Sequence, residues 1–154
     1  MAYMQWSEDL DTGIHVIDEQ HKRIVAYINE LHVASETGND EKTKEVLEGL
    51  LDYTMTHFQF EEELQEKAGY PFLKAHQRVH EIFMRRIADL RARSNQGENI
   101  LPDLLSMLKV WLVSHIKGDD RDYVESVSKM LGAENKGSSA SDGWLRATVK
   151  RFFG

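Results

Sequence analysis

The stretch His57-Phe58-Gln59-Phe60-Glu61 constrains this chain more than any other. Residues four apart on a helix stand one turn apart on the same face, so this imidazole and this carboxylate point the same way. The spacing recurs in His76-Gln77-Arg78-Val79-His80. His115 and Asp120 lie in the last of the long helical segments, and His21 lies in the first. Five imidazoles and two carboxylates are thus spread over four segments. Imidazole and carboxylate are the ligands that hold iron or another first-row metal. The chain reads as a bundle built around that set.

The apolar periodicity supports a bundle. Ile17, His21, Ile24, Ile28 and Leu31 recur at three and four, the helix period, with Asp18 as the expected N-cap. Thr37-Gly38-Asn39-Asp40 ends this helix, and Asp40 is expected to cap the next. The second helix is expected from about Glu41 to Lys67, with Val46, Leu50, Tyr53, His57, Glu61 and Leu64 inward. Gly69-Tyr70-Pro71 stops it, and Pro71 suits the start of a third helix. There Leu73, His76, His80, Phe83, Met84, Ile87 and Leu90 face the core. Ser94 to Asn99 reads as loop, and Pro102 suits the first turn of a fourth helix. Leu104, Leu105, Leu108, Trp111, Leu112 and His115 follow, and Tyr123, Val127, Met130 and Leu131 prolong the stripe. Residues 1–16 look irregular, with Trp6 as a plug on the bundle.

Four long amphipathic segments joined by short loops suit an antiparallel arrangement. The expected fold class is all-α: an antiparallel up-down-up-down four-helix bundle with an extra C-terminal amphipathic helix. Residues 1–133 would form the bundle, 134–143 a Gly/Ser-rich linker and 144–154 the basic amphipathic helix.

Composition closes off other chemistries. At 154 residues the chain is expected to be one domain with a real core. There are no cysteines, which excludes disulfides, thiolate clusters and cysteine nucleophiles. No apolar run is long enough to cross a membrane, and Met1 to Leu10 is not a secretory signal. A cytoplasmic location is expected. The net charge of −7 argues against a general nucleic-acid binder.

Charged and imidazole groups on a core-facing stripe are costly unless something pairs them. Any one such histidine reads best as a hydrogen-bonded core residue. His15, read as preceding the first helix, and His32, at the border of its stripe, are left there. The set does not read that way. In an up-down-up-down bundle His21, His57, Glu61, His76, His80 and His115 all fall at the same end. His115 and Asp120 are the awkward pair. Five residues of regular helix turn through about 500°, so the two would diverge. A π-type turn around Lys117–Asp120 would bring them together, and such bulges cluster at functional sites. Spacing alone favours Asp119, at i+4.

Seven ligands, two of them carboxylates able to bridge, suit a pair of metals rather than a four-ligand zinc. Nitrogen-rich sites with carboxylates suit iron. Ferritin-like di-iron sites use Glu-x-x-His pairs, and the sequence contains none. Fewer anionic ligands would leave higher-valent states less stabilised, so oxygen would be bound more readily than cleaved.

Ile17-Asp18-Glu19-Gln20-His21, His57-x-x-x-Glu61, His76-x-x-x-His80 and His115-x-x-x-x-Asp120, in this order, resemble the hemerythrins, and among them the single-domain bacterial ones. The resemblance covers roughly residues 5–131. It implies that Asp120, not Asp119, completes the set. It implies two non-haem iron ions with an oxo or hydroxo bridge: His76, His80 and His115 on one, His21 and His57 on the other, Glu61 and Asp120 bridging. Dioxygen would bind reversibly at an open position on the second iron, for transport, storage or delivery to oxygen-using enzymes. Trp111, Leu112 and Ile116 would surround the oxygen pocket; ordinary core packing explains them equally. The resemblance implies a carrier rather than an enzyme. A di-iron oxidase or peroxidase and an oxygen sensor are the competing readings.

The tail from Trp144 carries three basic residues and no acids. It would dock on the bundle, grip a protein partner or touch an anionic membrane surface. Three cations are few and the body is acidic, so docking on the body or on a partner is favoured. A monomer is expected.

Overall fold

The structure is a computed structural model and describes residues 2–135 and 140–154. Helices α1 (His15–Thr37), α2 (Asp40–Ala68), α3 (Leu73–Asn95) and α4 (Leu101–His115) follow in order. A π-helical turn, Ile116–Asp120, joins α4 to α5 (Arg121–Asn135), and α6 (Ala140–Phe153) ends the chain. A short 3₁₀ turn at Glu8–Leu10 is the only other element among the described residues. No strand occurs among the described residues, as the helix periodicity predicts. Four rods result: α1, α2, α3, and α4 continued through the π turn into α5. The connections between successive rods are short, which makes neighbours antiparallel. None of these helices is long and apolar enough to cross a membrane, among the described residues.

Two caps differ from expectation. Helix α1 begins at His15, with Ile14 as N-cap, and Asp18 lies inside its first turn. The Asp18 carboxylate instead reaches back to the incoming chain. It accepts from the Thr12 N–H at 2.8 Å, the Thr12 hydroxyl at 2.7 Å and the Gly13 N–H at 3.1 Å. An anion in the first turn also suits the helix dipole. His15 is therefore the first residue of α1, and exposed, rather than a residue before it. Asn39, not Asp40, caps α2: its Oδ1 accepts from the Lys42 N–H at 3.0 Å. Helices α1 and α2 both stop at glycines in the left-handed region, Gly38 and Gly69, where a side chain would be strained. Helix α3 also runs through Ser94 and Asn95, so the loop before α4 is shorter than the polar stretch suggests.

The apolar core divides in two. The larger cluster includes Ile24, Ile28, Leu31, Leu50, Phe58, Phe83, Ile87, Leu104, Leu112 and Ile116, with Trp6 and Trp111 packed against it. The smaller comprises Ile14, Ile17, Phe60, Leu64, Tyr123 and Val127. Along α1, α2 and the fourth rod the sequence passes from one cluster to the other through His21, His57 to Glu61, and His115 to Asp120. The polar set is thus a layer between two dry ones.

Helix α6 closes the smaller cluster. Trp144, Leu145, Val149, Phe152 and Phe153 pack against it. Phe152 and Phe153 meet the Phe60 ring at 6.1 and 5.7 Å, Phe153 meets Tyr53 at 5.3 Å, and Arg151 pairs with Glu63. The helix starts four residues before Trp144, so residues 140–143 of the expected linker are helical, and so are 134 and 135 at the end of α5. The rest of that linker, 136–139, lies outside the described residues.

Candidate metal centre

Each rod contributes to the buried layer. His21 comes from α1, His57 and Glu61 from α2, His76 and His80 from α3, and His115 and Asp120 from the two ends of the π turn in the fourth rod. All seven are buried, with at most 4% of each residue exposed. The π turn spans Ile116–Asp120, where the spacing of His115 and Asp120 calls for one. Gly118 lies in it without a positive φ, and a Cβ there would meet no atom within 4 Å, so the bulge does not depend on a glycine.

The donors sort into two sets that share both carboxylates. One set is His76, His80, His115, Glu61 and Asp120; the other is His21, His57, Glu61 and Asp120. Within each set one donor atom per residue lies within 4.8 Å of every other. The carboxylate oxygens divide the same way. Glu61 Oε1 faces His76 Nε2 at 2.6 Å and His80 Nε2 at 3.2 Å, while Glu61 Oε2 faces His57 Nε2 at 3.1 Å and His21 Nε2 at 3.9 Å. Asp120 Oδ1 faces His115 Nε2 at 3.1 Å and His76 Nε2 at 3.2 Å, while Oδ2 faces His21 Nε2 at 3.1 Å. The five-residue step therefore turns Asp120 into the interior. Asp119 stays 42% exposed and accepts from His115 Nδ1 at 2.9 Å.

Three imidazoles are held from behind. His57 Nδ1 donates to Gln20 Oε1 at 2.6 Å, His80 Nδ1 to Glu62 Oε2 at 3.0 Å and His115 Nδ1 to Asp119 Oδ2. Oxygen acceptors opposite Nδ1 assign the proton there and leave Nε2 as a bare lone pair. The consequence shows at His80 and His115, whose Nε2 atoms face one another at 3.1 Å. At that distance a shared proton or a metal ion must lie between the two lone pairs. His21 Nε2, His57 Nε2 and both Asp120 oxygens have no hydrogen-bond partner, though all are buried. Orphaned donors aimed at a common point are what a bound cation satisfies.

The charge balance agrees. Burial opposes charge on His21 and His76, yet the Asp120 and Glu61 carboxylates outweigh it and push both up to about 9. Burial likewise opposes charge on His115, and Asp120 and Asp119 raise it to about 10. His57 goes down, because burial dominates there. Burial acts to raise Glu61 and Asp120, but the surrounding imidazoles hold both carboxyls well below the usual range. The site binds positive charge, as protons or as metal.

The seven side chains singled out in the sequence all lie in this layer, Asp120 having been singled out by the resemblance where spacing alone favours Asp119. Sequence reasoning missed Tyr123, read only as core, whose hydroxyl donates to Glu61 Oε2 at 3.1 Å. It also missed Glu62 and the partner of His57, Gln20. Adjacency was the available signal: Gln20 and Glu62 each stand next to a member of the layer, and Asp119 next to Asp120. Leu112 and Ile116 are buried in the larger apolar cluster, and Trp111 lies half-buried with its ring stacked on His115 at 4.3 Å and on Phe83 at 4.0 Å. His15 and His32 stand apart from the layer; His32 stacks on Tyr3 at 4.7 Å.

A helical bundle with a buried histidine and carboxylate layer defines a cation-binding protein. The family profile described as the hemerythrin HHE cation binding domain matches residues 12–127. The chain belongs to the hemerythrin family. It is 49% identical to a bacteriohemerythrin of Stenotrophomonas maltophilia and 47% identical to one of Pseudomonas aeruginosa, in each case over 154 residues and the full length of both chains. It is 32% identical over 119 residues to a myohemerythrin of Theromyzon tessulatum, covering 77% of this chain and 89% of that one. A crystal structure of a hemerythrin mutant superposes with a TM-score of 0.78 at 32% identity, covering 83% of this chain and 99% of that one.

Proposed function

We propose that this hemerythrin-type protein binds dioxygen reversibly at a non-haem di-iron centre and does so as a carrier or store rather than as an enzyme. His76, His80 and His115 would hold one iron and His21 and His57 the other, with Glu61 and Asp120 shared. Two irons held there would supply the two electrons and the vacant coordination position that dioxygen binding needs. One observation carries the reading: each shared carboxylate offers one oxygen to each histidine set, which gives five protein donors on one side and four on the other. The side with four is where an external ligand fits.

The chain's own residues do the rest. Glu61 is held by Tyr123 on one oxygen and by His76 on the other, with His57 and His80 facing it at 3.1 and 3.2 Å, so its two oxygens are fixed in direction. The apolar layers above and below exclude water, which slows proton access and irreversible oxidation. Leu112 and Ile116 share one apolar layer with Ile24 and Phe58, the residues that follow His21 and His57 on their helices, and Trp111 packs against it, so we assign the oxygen pocket to Trp111, Leu112 and Ile116 where that layer meets the four-donor side. The absence of Glu-x-x-His pairs keeps the site poorer in carboxylates than the ferritin-like oxidases.

The test is spectroscopic. The iron-loaded, reduced protein should gain a visible absorption band on exposure to oxygen and lose it when oxygen is removed, through repeated cycles. Oxygen uptake should stop at a fixed stoichiometry. Continuous consumption would turn the assignment to an oxidase.

A further inference from the structure

The two histidine sets differ in what stands behind them. In the five-donor set, His80 is backed by the Glu62 carboxylate at 3.0 Å and His115 by the Asp119 carboxylate at 2.9 Å. In the four-donor set, His57 is backed at 2.6 Å by the neutral amide of Gln20, and His21 Nδ1 has no partner. A carboxylate behind an imidazole draws the Nδ1 proton towards itself and makes Nε2 a stronger donor. A neutral amide does this far less, because charge-assisted hydrogen bonds are roughly twice as strong as neutral ones. The difference is expressed fully at Gln20, which is only 4% exposed. Gln20 also matches glutamate in shape, so the choice of amide over carboxylate is one of charge.

We infer that Gln20 is a positioning residue that orients His57 without strengthening it, and so keeps the His21/His57 position the weaker of two unequal metal positions. The inference rests on the two-metal reading above. The inequality follows from two effects with the same sign. The five-donor position has one more ligand, and two of its three imidazoles are reinforced by charge. The four-donor position stays under-supplied with electron density, which favours its accepting an outside ligand.

The experiment titrates the metal-free full chain with cobalt(II) alone, followed by calorimetry and by absorption. The natural sequence should take up two equivalents in two unequal phases. Gln20→Glu should tighten the weaker phase by about tenfold and move the tighter phase much less, the low end of what such outer partners contribute. Glu62→Gln keeps the acceptor oxygen and removes the charge. It should loosen the tighter phase by about tenfold and leave the weaker phase in place. A purely structural role for Gln20 predicts no gain in affinity from Gln20→Glu. Two equivalents bound with an unchanged or loosened weaker phase in Gln20→Glu overturn the inference and leave the two-metal reading intact. A single equivalent in the natural sequence overturns both. If a further buried carboxylate prevents Gln20→Glu from folding, Glu62→Gln decides, since Glu62 is 23% exposed. Equal loosening of both phases in that variant overturns the inference.

Discussion

Tyr123 donates its hydroxyl to Glu61 Oε2 at 3.1 Å across the bundle, from α5 to α2. Neither side chain is exposed at all. Burial, and the charges on Glu61 and Asp120, push the Tyr123 phenol well above its usual range, so it remains a donor throughout the working pH range. A hydrogen bond to a buried carboxylate contributes about 1.5–3 kcal/mol. Tyr123→Phe should destabilise the metal-free protein by that amount in urea denaturation, with the fold unchanged by circular dichroism.

The π turn makes Asp119 and Asp120 unequal, and conservative substitutions separate them. Asp120→Asn removes an anion whose two oxygens face both histidine sets, and should abolish the uptake of the second metal. Asp119→Asn keeps a hydrogen-bond acceptor behind His115, and should lower metal affinity by about tenfold while retaining two equivalents. Elemental analysis after reconstitution distinguishes them. The reverse ranking would show that the helix is regular in solution.

Much of this was legible in the sequence because helix periodicity is a strong signal. Glu61 and His80 are readable as partners of His57 and His76 from the i+4 step alone. Asp120 was not: regular geometry favours Asp119, and only the resemblance to a family pointed one residue further. The reason is physical, since a π turn changes the residue count per turn without any change in composition. The caps were misjudged for a different reason. Asp18 and Asp40 are good capping residues, but Asp18 is committed to Thr12 and Gly13, and Asp40 is already the first residue of the helix, with Asn39 just before it in the capping position. Gln20 and Glu62 were illegible in their roles because polar residues beside a ligand look the same whether they point inward or to solvent.

The metal-free protein should lose stability on the alkaline side. His21 and His76 at about 9 and His115 at about 10 lie above the ordinary histidine value of 6.5. The folded chain therefore holds these protons more tightly than the unfolded chain. Their stabilising contribution is full below pH 6.5 and is lost as pH rises through 9 to 10. Glu61 and Asp120, held low by the same contacts, lose theirs as pH falls below the usual carboxylate range. Bound metal replaces the protons, so metal uptake should release acid and the loaded protein should lack the alkaline loss. Melting temperatures from pH 6 to 10, with and without zinc, check this. A flat metal-free profile would refute the charge balance described for the layer.

Helix α6 is an integral part of the fold rather than a free tail. With Val16, Gln20, Tyr53 and Thr56 it borders a cavity of about 680 Å³ beside the partner of His57. Fully burying a phenylalanine contributes roughly 1.5–3 kcal/mol, and Phe152 and Phe153 are half-buried. Removing residues 140–154 should therefore lower stability by about 2–4 kcal/mol and speed amide exchange around Gln20. Membrane co-sedimentation should be the same with and without these residues, since α6 is already engaged. A truncated chain of equal stability, or one that alone loses membrane partitioning, would show that the helix serves an outside surface.

The account depends on two cations sharing Glu61 and Asp120 between unequal histidine sets. Iron counted by elemental analysis against protein concentration, after anaerobic reconstitution and removal of loose metal, tests that most directly. Two irons per chain are predicted, falling to one or none in Asp120→Asn. One iron per chain in the natural sequence, or two in Asp120→Asn, would contradict it.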